Sequence, residues 1–161
     1  MTGLRSAAAA LAAAALLVST LGACGGTSEA EKEREAKAKE GFSAAADMKT
    51  CTKDAKAVSK PYGSSFPKQW PFPQQSVVFN AEDRSGAGTI VTAVSSAPFK
   101  QVLDFMNKDV VAAGFTIKDG ETEAHDAEAE WTGNGYSGRW AIRESASCPG
   151  DTVLQVLSTS H

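Results

Sequence analysis

Histidine is almost missing from this chain, which has only His125 and the C-terminal His161. A hydrolytic site needs a nucleophile, a base and an oxyanion donor in one place, and a terminal residue frays, so His125 is the one candidate base. It stands beside Asp126 at the start of an expected strand, where a solvated edge position is the simpler reading. No Gly-x-Ser-x-Gly occurs, nor a Ser-x-x-Lys followed by its usual partners, which removes two familiar nucleophile settings. Cysteine is scarce, with three residues, no Cys-x-x-Cys and no neighbouring His, so a zinc site is not indicated. Gly86-Ala87-Gly88 and Gly133-Asn134-Gly135 do not lie between a strand and a helix, so they read as turns and not as phosphate loops. Excess positive charge is lacking too: 16 Lys and Arg against 19 Asp and Glu leave a net charge of −3, without the basic stripe that nucleic acid requires. Only one long apolar run exists, residues 7–18, and it is shorter than the roughly 20 residues of a membrane-spanning helix.

That run has a particular setting. Residues 1–6 precede it with a single base, Arg5, and Ser19-Thr20-Leu21-Gly22-Ala23-Cys24 follow. A charged start, a short apolar core and small residues at its end describe a secretory signal. Leu21-Gly22-Ala23-Cys24 resembles the lipobox of bacterial lipoproteins. The resemblance covers residues 1–24 and implies cleavage between Ala23 and Cys24, with a diacylglyceryl group on the Cys24 thiol. An ordinary export signal ending at a cysteine is the alternative. Two acyl chains hold a small protein at a bilayer where one chain is marginal. As a whole the Ala-rich chain resembles small lipoproteins of actinobacteria, a likeness that supplies no functional residue beyond Cys24.

The expected organisation is a signal peptide over 1–23, a lipid-anchored charged tether over 24–42 and a single α+β domain over 43–161. The tether reads GGTSEAEKEREAKAKE over 25–40. Glu33 and Lys37, and Glu35 and Lys39, are spaced to support helix, but no apolar stripe is there to be buried. A solvated, partly helical spacer is expected, with a binding role for the charge run as the alternative. Removal of Arg5 leaves the mature chain at −4. With Cys24 lipidated, Cys51 and Cys148 remain as a pair, and outside the cytoplasm such a pair usually bridges. The bridge closes a loop of about 97 residues, worth about 4 kcal/mol in the chain-entropy model. Two free thiols or a metal site are the alternatives.

Ser43 to about Ser59 predicts a helix, with Met48, Cys51, Ala55 and Val58 on one modest apolar face. Pro61, Pro67, Pro71 and Pro73 then forbid helix. Phe66 to Pro73 is expected to be extended, with Trp70 and Phe72 covering the core rather than serving as a proline-rich ligand. Ser76–Ala81 and Thr89–Ser95 read as a hairpin with a longer loop. A helix opens at Ser96 or Ala97 with Pro98 in its first position. It carries Phe99, Val102, Leu103, Met106, Val110 and Ala113 on one stripe and stops at Gly114. Phe115–Lys118 predicts a short strand and Asp119-Gly120 a turn.

Asp126 to Arg143 is the most informative stretch. Asn134-Gly135 is a strong type I′ hairpin signal. With those two residues at the turn, Glu130 faces Arg139 and Asp126 faces Arg143. On the other side Trp131 meets Gly138, Ala129 meets Trp140 and Ala127 meets Ile142. A slip of one residue destroys every match. The Trp side is expected to rest on the helix of residues 98–113. Cys148-Pro149-Gly150-Asp151 reads as a turn, and Val153–Leu157 as a strand apolar enough to lie inside a sheet. The fold class is therefore α+β: a mainly antiparallel sheet of about five to six strands with one or two helices on one face.

Two further clusters bear on function. Glu121, Glu123, Asp126, Glu128 and Glu130 offer carboxylates at alternate strand positions, as calcium sites do, but two have expected Arg partners and the Asp/Asn-Gly loop of such sites is missing. Trp131, Tyr136 and Trp140 offer a sugar-stacking platform, with core packing as the simpler reading. No cofactor or metal is expected. The chain reads as a membrane-anchored, extracytoplasmic lipoprotein whose domain binds and does not catalyse, its partner an envelope protein or a small ligand. A carrier with a pocket between sheet and helix is the second reading, and an envelope-acting enzyme the third.

Overall fold

The computed structural model describes residues 49–84 and 86–161. Cys24, the tether and the start of the first expected helix lie outside these residues. The described elements are β1 (Ser76–Asp83), β2 (Thr89–Ser95), α1 (Phe99–Ala112), β3 (Thr116–Thr122), β4 (Asp126–Gly133), β5 (Tyr136–Glu144) and β6 (Thr152–Ser160). The strands form one antiparallel sheet in the order β1-β2-β6-β5-β4-β3, with α1 packed on one face. The last strand in sequence thus sits at the sheet's centre, where its run Val153-Leu154-Gln155-Val156-Leu157 is buried on both sides.

The β4–β5 hairpin has the register its side chains call for. Asp126 pairs with Arg143, Ala127 with Ile142, Ala129 with Trp140, Glu130 with Arg139 and Trp131 with Gly138. Asn134 at φ 55° and Gly135 at φ 81° make the tight turn, the left-handed conformation that a type I′ turn demands at both positions. Trp131 and Trp140 are each 1% exposed. Burying a side chain of this size contributes upward of about 2 kcal/mol, against about 0–1 kcal/mol for a surface ion pair. The indole face therefore sets the register and the charges follow it.

Helix α1 buries Phe99, Val102, Met106 and Val110, four residues of the expected stripe; Leu103 and Ala113 are half-buried beside them. Pro98 is the residue before the helix and not its first turn, with φ −60° and ψ 151°. The chain stops at Gly114, whose N–H donates to the Val111 carbonyl while the Phe115 N–H donates to that of Val110. That pair of bonds is a Schellman ending, and it delivers Phe115 into the core at 2% exposure.

Two expectations are corrected. Residues 49–59 hold a turn at 52–54 and no helix. Their backbone bonds go elsewhere: Asp54 N–H to Cys51 O at 3.0 Å, Thr52 N–H to the Asp151 carboxylate at 2.7 Å, and Val58 N–H to Val78 O at 2.9 Å. The first closes the local turn and the other two are tertiary; a short segment with a weak apolar face gains more from the tertiary pair than from an isolated helical turn. Asp119-Gly120 is likewise not a turn. Strand β3 runs through it, with an irregularity in its pairing between Ile117 and Gly120. Glycine is required there because a Cβ would stand 2.4 Å from the Glu128 carbonyl oxygen.

Candidate functional site

Cys51 and Cys148 form a disulfide across 97 positions, with their Cα atoms 5.6 Å apart. The bridge ties the start of the described chain to the turn before β6. Ser145 Oγ accepts the Cys148 N–H at 3.1 Å, and the Asp151 N–H closes the turn on Cys148 O at 3.0 Å. Asp151 places its carboxylate within 4.8 Å of both sulfurs, the one cluster of metal-ligand residue types among those described. It does not fit a metal: the sulfurs are spent on each other, so neither is a thiolate donor, and the carboxylate already accepts the Thr52 N–H. Asp151 is a part of this joint that the sequence did not signal, since an acid directly before a core strand reads as an ordinary turn residue.

On the sheet face away from α1, Glu121, Glu123, Asp126, Glu128 and Arg143 line an open cleft of about 400 Å³. Arg143 is ion-paired with Asp126, as expected. Arg139 pairs with Glu128 and not with Glu130, although Glu130 is its register partner. Diagonal neighbours in a twisted sheet are within reach of a long side chain, and Glu130 is exposed. The acidic run is thus partly neutralised in place, by two guanidinium groups held on β5.

His125 keeps its side chain 73% exposed, with Nδ1 2.8 Å from Glu144 Oε2. This is a solvated hydrogen-bonding position at the end of the β4–β5 ladder, where the Glu144 N–H also donates to His125 O at 2.9 Å.

The aromatic residues are drawn into the core. Trp70, 2% exposed, lies 4.5 Å from Trp131 and 4.8 Å from Phe115, centroid to centroid. Tyr62, Phe66 and Phe72 extend this cluster outward, with Tyr62 edge-on to both phenylalanines at 5.7 and 6.0 Å. Partial burial raises the pKa of the Tyr62 phenol, because the apolar rings disfavour its anion. Tyr136 is half-buried against the same core. The proline-rich stretch therefore packs over the space between α1 and the sheet, and the indoles form no open stacking platform.

No helix among the described residues is long and apolar enough to cross a membrane. No family model, curated protein or solved structure matches the chain.

Proposed function

We propose that the mature protein is a lipoprotein held through Cys24 on the outer face of the cytoplasmic membrane, displaying a domain that binds a partner and does no chemistry. The observation that carries this reading is Leu21-Gly22-Ala23-Cys24 placed directly behind a short apolar run. The Cys51–Cys148 bridge supports it, because a disulfide of this kind belongs to an oxidising compartment. Among the described residues His125 is hydrogen-bonded to Glu144 and to no serine, threonine or cysteine side chain, so the nucleophile–base contact of a hydrolytic site is missing there, which favours binding over catalysis. Phe99, Met106 and Trp140, which would roof a carrier pocket, belong to one packed cluster; that favours an interaction surface over a ligand carrier. The charged face of β3, β4 and β5 is the rigid surface offered to an envelope protein.

Replacing Cys24 with serine tests the anchor. Cys24→Ser removes the only sulfur at the processing site, so the protein should move from the membrane fraction to the medium and lose its lipid mass. A variant that stays membrane-bound overturns the reading. Capture from envelope extracts with the delipidated domain, against a Glu121→Lys, Glu123→Lys control, then tests the binding face.

A further inference from the structure

The two edges of the sheet differ. Along β1 the Val58 N–H donates to Val78 O at 2.9 Å, so a neighbouring segment already bonds to that edge. Strand β3 ends the sheet on the other side, and every residue of it except Ile117 is exposed. Its outward backbone groups follow from the ladder. Gly133 and Tyr136 flank a two-residue turn, which makes them a hydrogen-bonded pair. Alternation along β4 then turns the N–H and C=O of Glu128 toward β3, where Glu121 lies opposite. The Glu123 N–H, bonded to Asp126 O at 2.7 Å, continues the same ladder. Gly120 and Thr122, on either side of Glu121, therefore point N–H and C=O out of the sheet, and among the described residues nothing beyond the edge bonds to them.

The charge beside this edge is one-sided. Asp119, Glu121 and Glu123 stand against a single cation, Lys118, and all four are exposed. Glu121 also faces Glu128 across the ladder, and like charges so opposed are destabilising. Arg139 answers Glu128 and Arg143 answers Asp126. Among the described residues no ion pair reaches Asp119, Glu121 or Glu123.

We propose that β3 takes up an extended basic segment of a partner protein as a further strand, its backbone bonded to Gly120 and Thr122 and its alternate Lys or Arg side chains beside Glu121 and Glu123. Strand addition draws affinity from main-chain bonds and specificity from alternate side chains. A second copy of this chain does not fit. A twofold antiparallel pair brings one residue opposite itself. Centred on Lys118, Asp119 or Glu121, such a pair opposes like charges directly. Centred on Gly120 it sets Asp119 against Glu121, and centred on Thr122 it sets Glu121 against Glu123. Charges of this kind keep an edge from pairing with itself, and a basic strand turns the same charges into attraction. The inference rests on the reading of the domain as a binding module, and it adds the partner's chemistry and the edge that receives it.

The test uses residues 24–161 carrying Cys24→Ser, with a synthetic peptide in which Lys alternates with Thr and Val as the probe. Amide hydrogen exchange at Gly120 and Thr122 should slow several-fold when the peptide is added, and the effect should weaken as salt rises. Thr122→Pro removes an outward N–H that the ladder to β4 does not use, a place where an edge strand tolerates proline. It should weaken peptide binding by about tenfold or more while the far-ultraviolet circular dichroism persists. Binding without protection at Gly120 and Thr122, no binding, or equal binding of a peptide with Glu in place of Lys overturns the proposal. So does protection that is already present without peptide, and protection that grows with protein concentration would make a second copy the occupant. Capture of an envelope protein that survives Thr122→Pro unchanged overturns this edge and leaves the binding module standing. Absence of any capture by the unaltered domain counts against the module itself, and the exchange measurement reads the edge separately.

Discussion

Removing the Cys51–Cys148 bridge is the sharpest perturbation available to this fold. The bond spans 97 positions, and a cross-link of that length withdraws about 4–5 kcal/mol of loop-closure entropy from the unfolded chain. A domain of this size typically has only about 5–15 kcal/mol to lose. With an unfolding entropy of about 2.1 cal/mol/K for each residue, the double variant Cys51→Ala, Cys148→Ala should melt about 15–20 °C lower than the oxidised protein. Calorimetry and circular dichroism melts at one pH measure the shift, and the reduced native chain should coincide with the variant. The competing outcome is local. Thr52 N–H to Asp151 and Val58 N–H to Val78 O help hold residues 49–58 to the sheet, each worth about 0.5–1.5 kcal/mol net. If the segment frays while the sheet stands, the shift shrinks to a few degrees. A fall below about 5 °C, or about 1 kcal/mol, would refute the loop-closure argument and place the bridge outside the cooperative unit.

Other perturbations probe the sheet and its rim. Gly138→Ala should cost about 3 kcal/mol in urea unfolding, because a Cβ there would meet Leu157 O at 1.9 Å and Trp131 at 3.1 Å; a cost under about 1 kcal/mol would contradict that packing. Glu128→Gln should lower stability by up to about 1 kcal/mol and Glu130→Gln by almost nothing, since Arg139 is paired with Glu128. Equal effects would restore the directly opposed pair. Tyr62 ionises above its ordinary 10.0 in the fold, so its contribution is complete below the unfolded pKa and is lost as pH rises through the folded one. Alkaline unfolding should accordingly be milder in Tyr62→Phe than in the native chain, and identical profiles would rule the phenol out as the cause.

Residues close in sequence largely declared themselves. The β4–β5 register was legible because Asn134-Gly135 dictates a turn, and two indoles must meet small partners across it. Helix α1 was legible because Phe99, Val102, Met106 and Val110 repeat at helical spacing before Gly114. The pairing of Cys51 with Cys148 followed from counting cysteines in a chain whose start reads as an export signal. Tertiary structure alone decided the rest, because the deciding energies come from partners distant in sequence. Asp151 and Val78, not local propensity, draw residues 49–59 out of a helix. Sheet twist, not register, hands Arg139 to Glu128. The insertion of β6 between β2 and β5 was hinted at by its unbroken apolar run, but only the assembled sheet names its neighbours. A local pattern specifies which face of an element is apolar; what covers that face depends on which distant surface comes to rest on it.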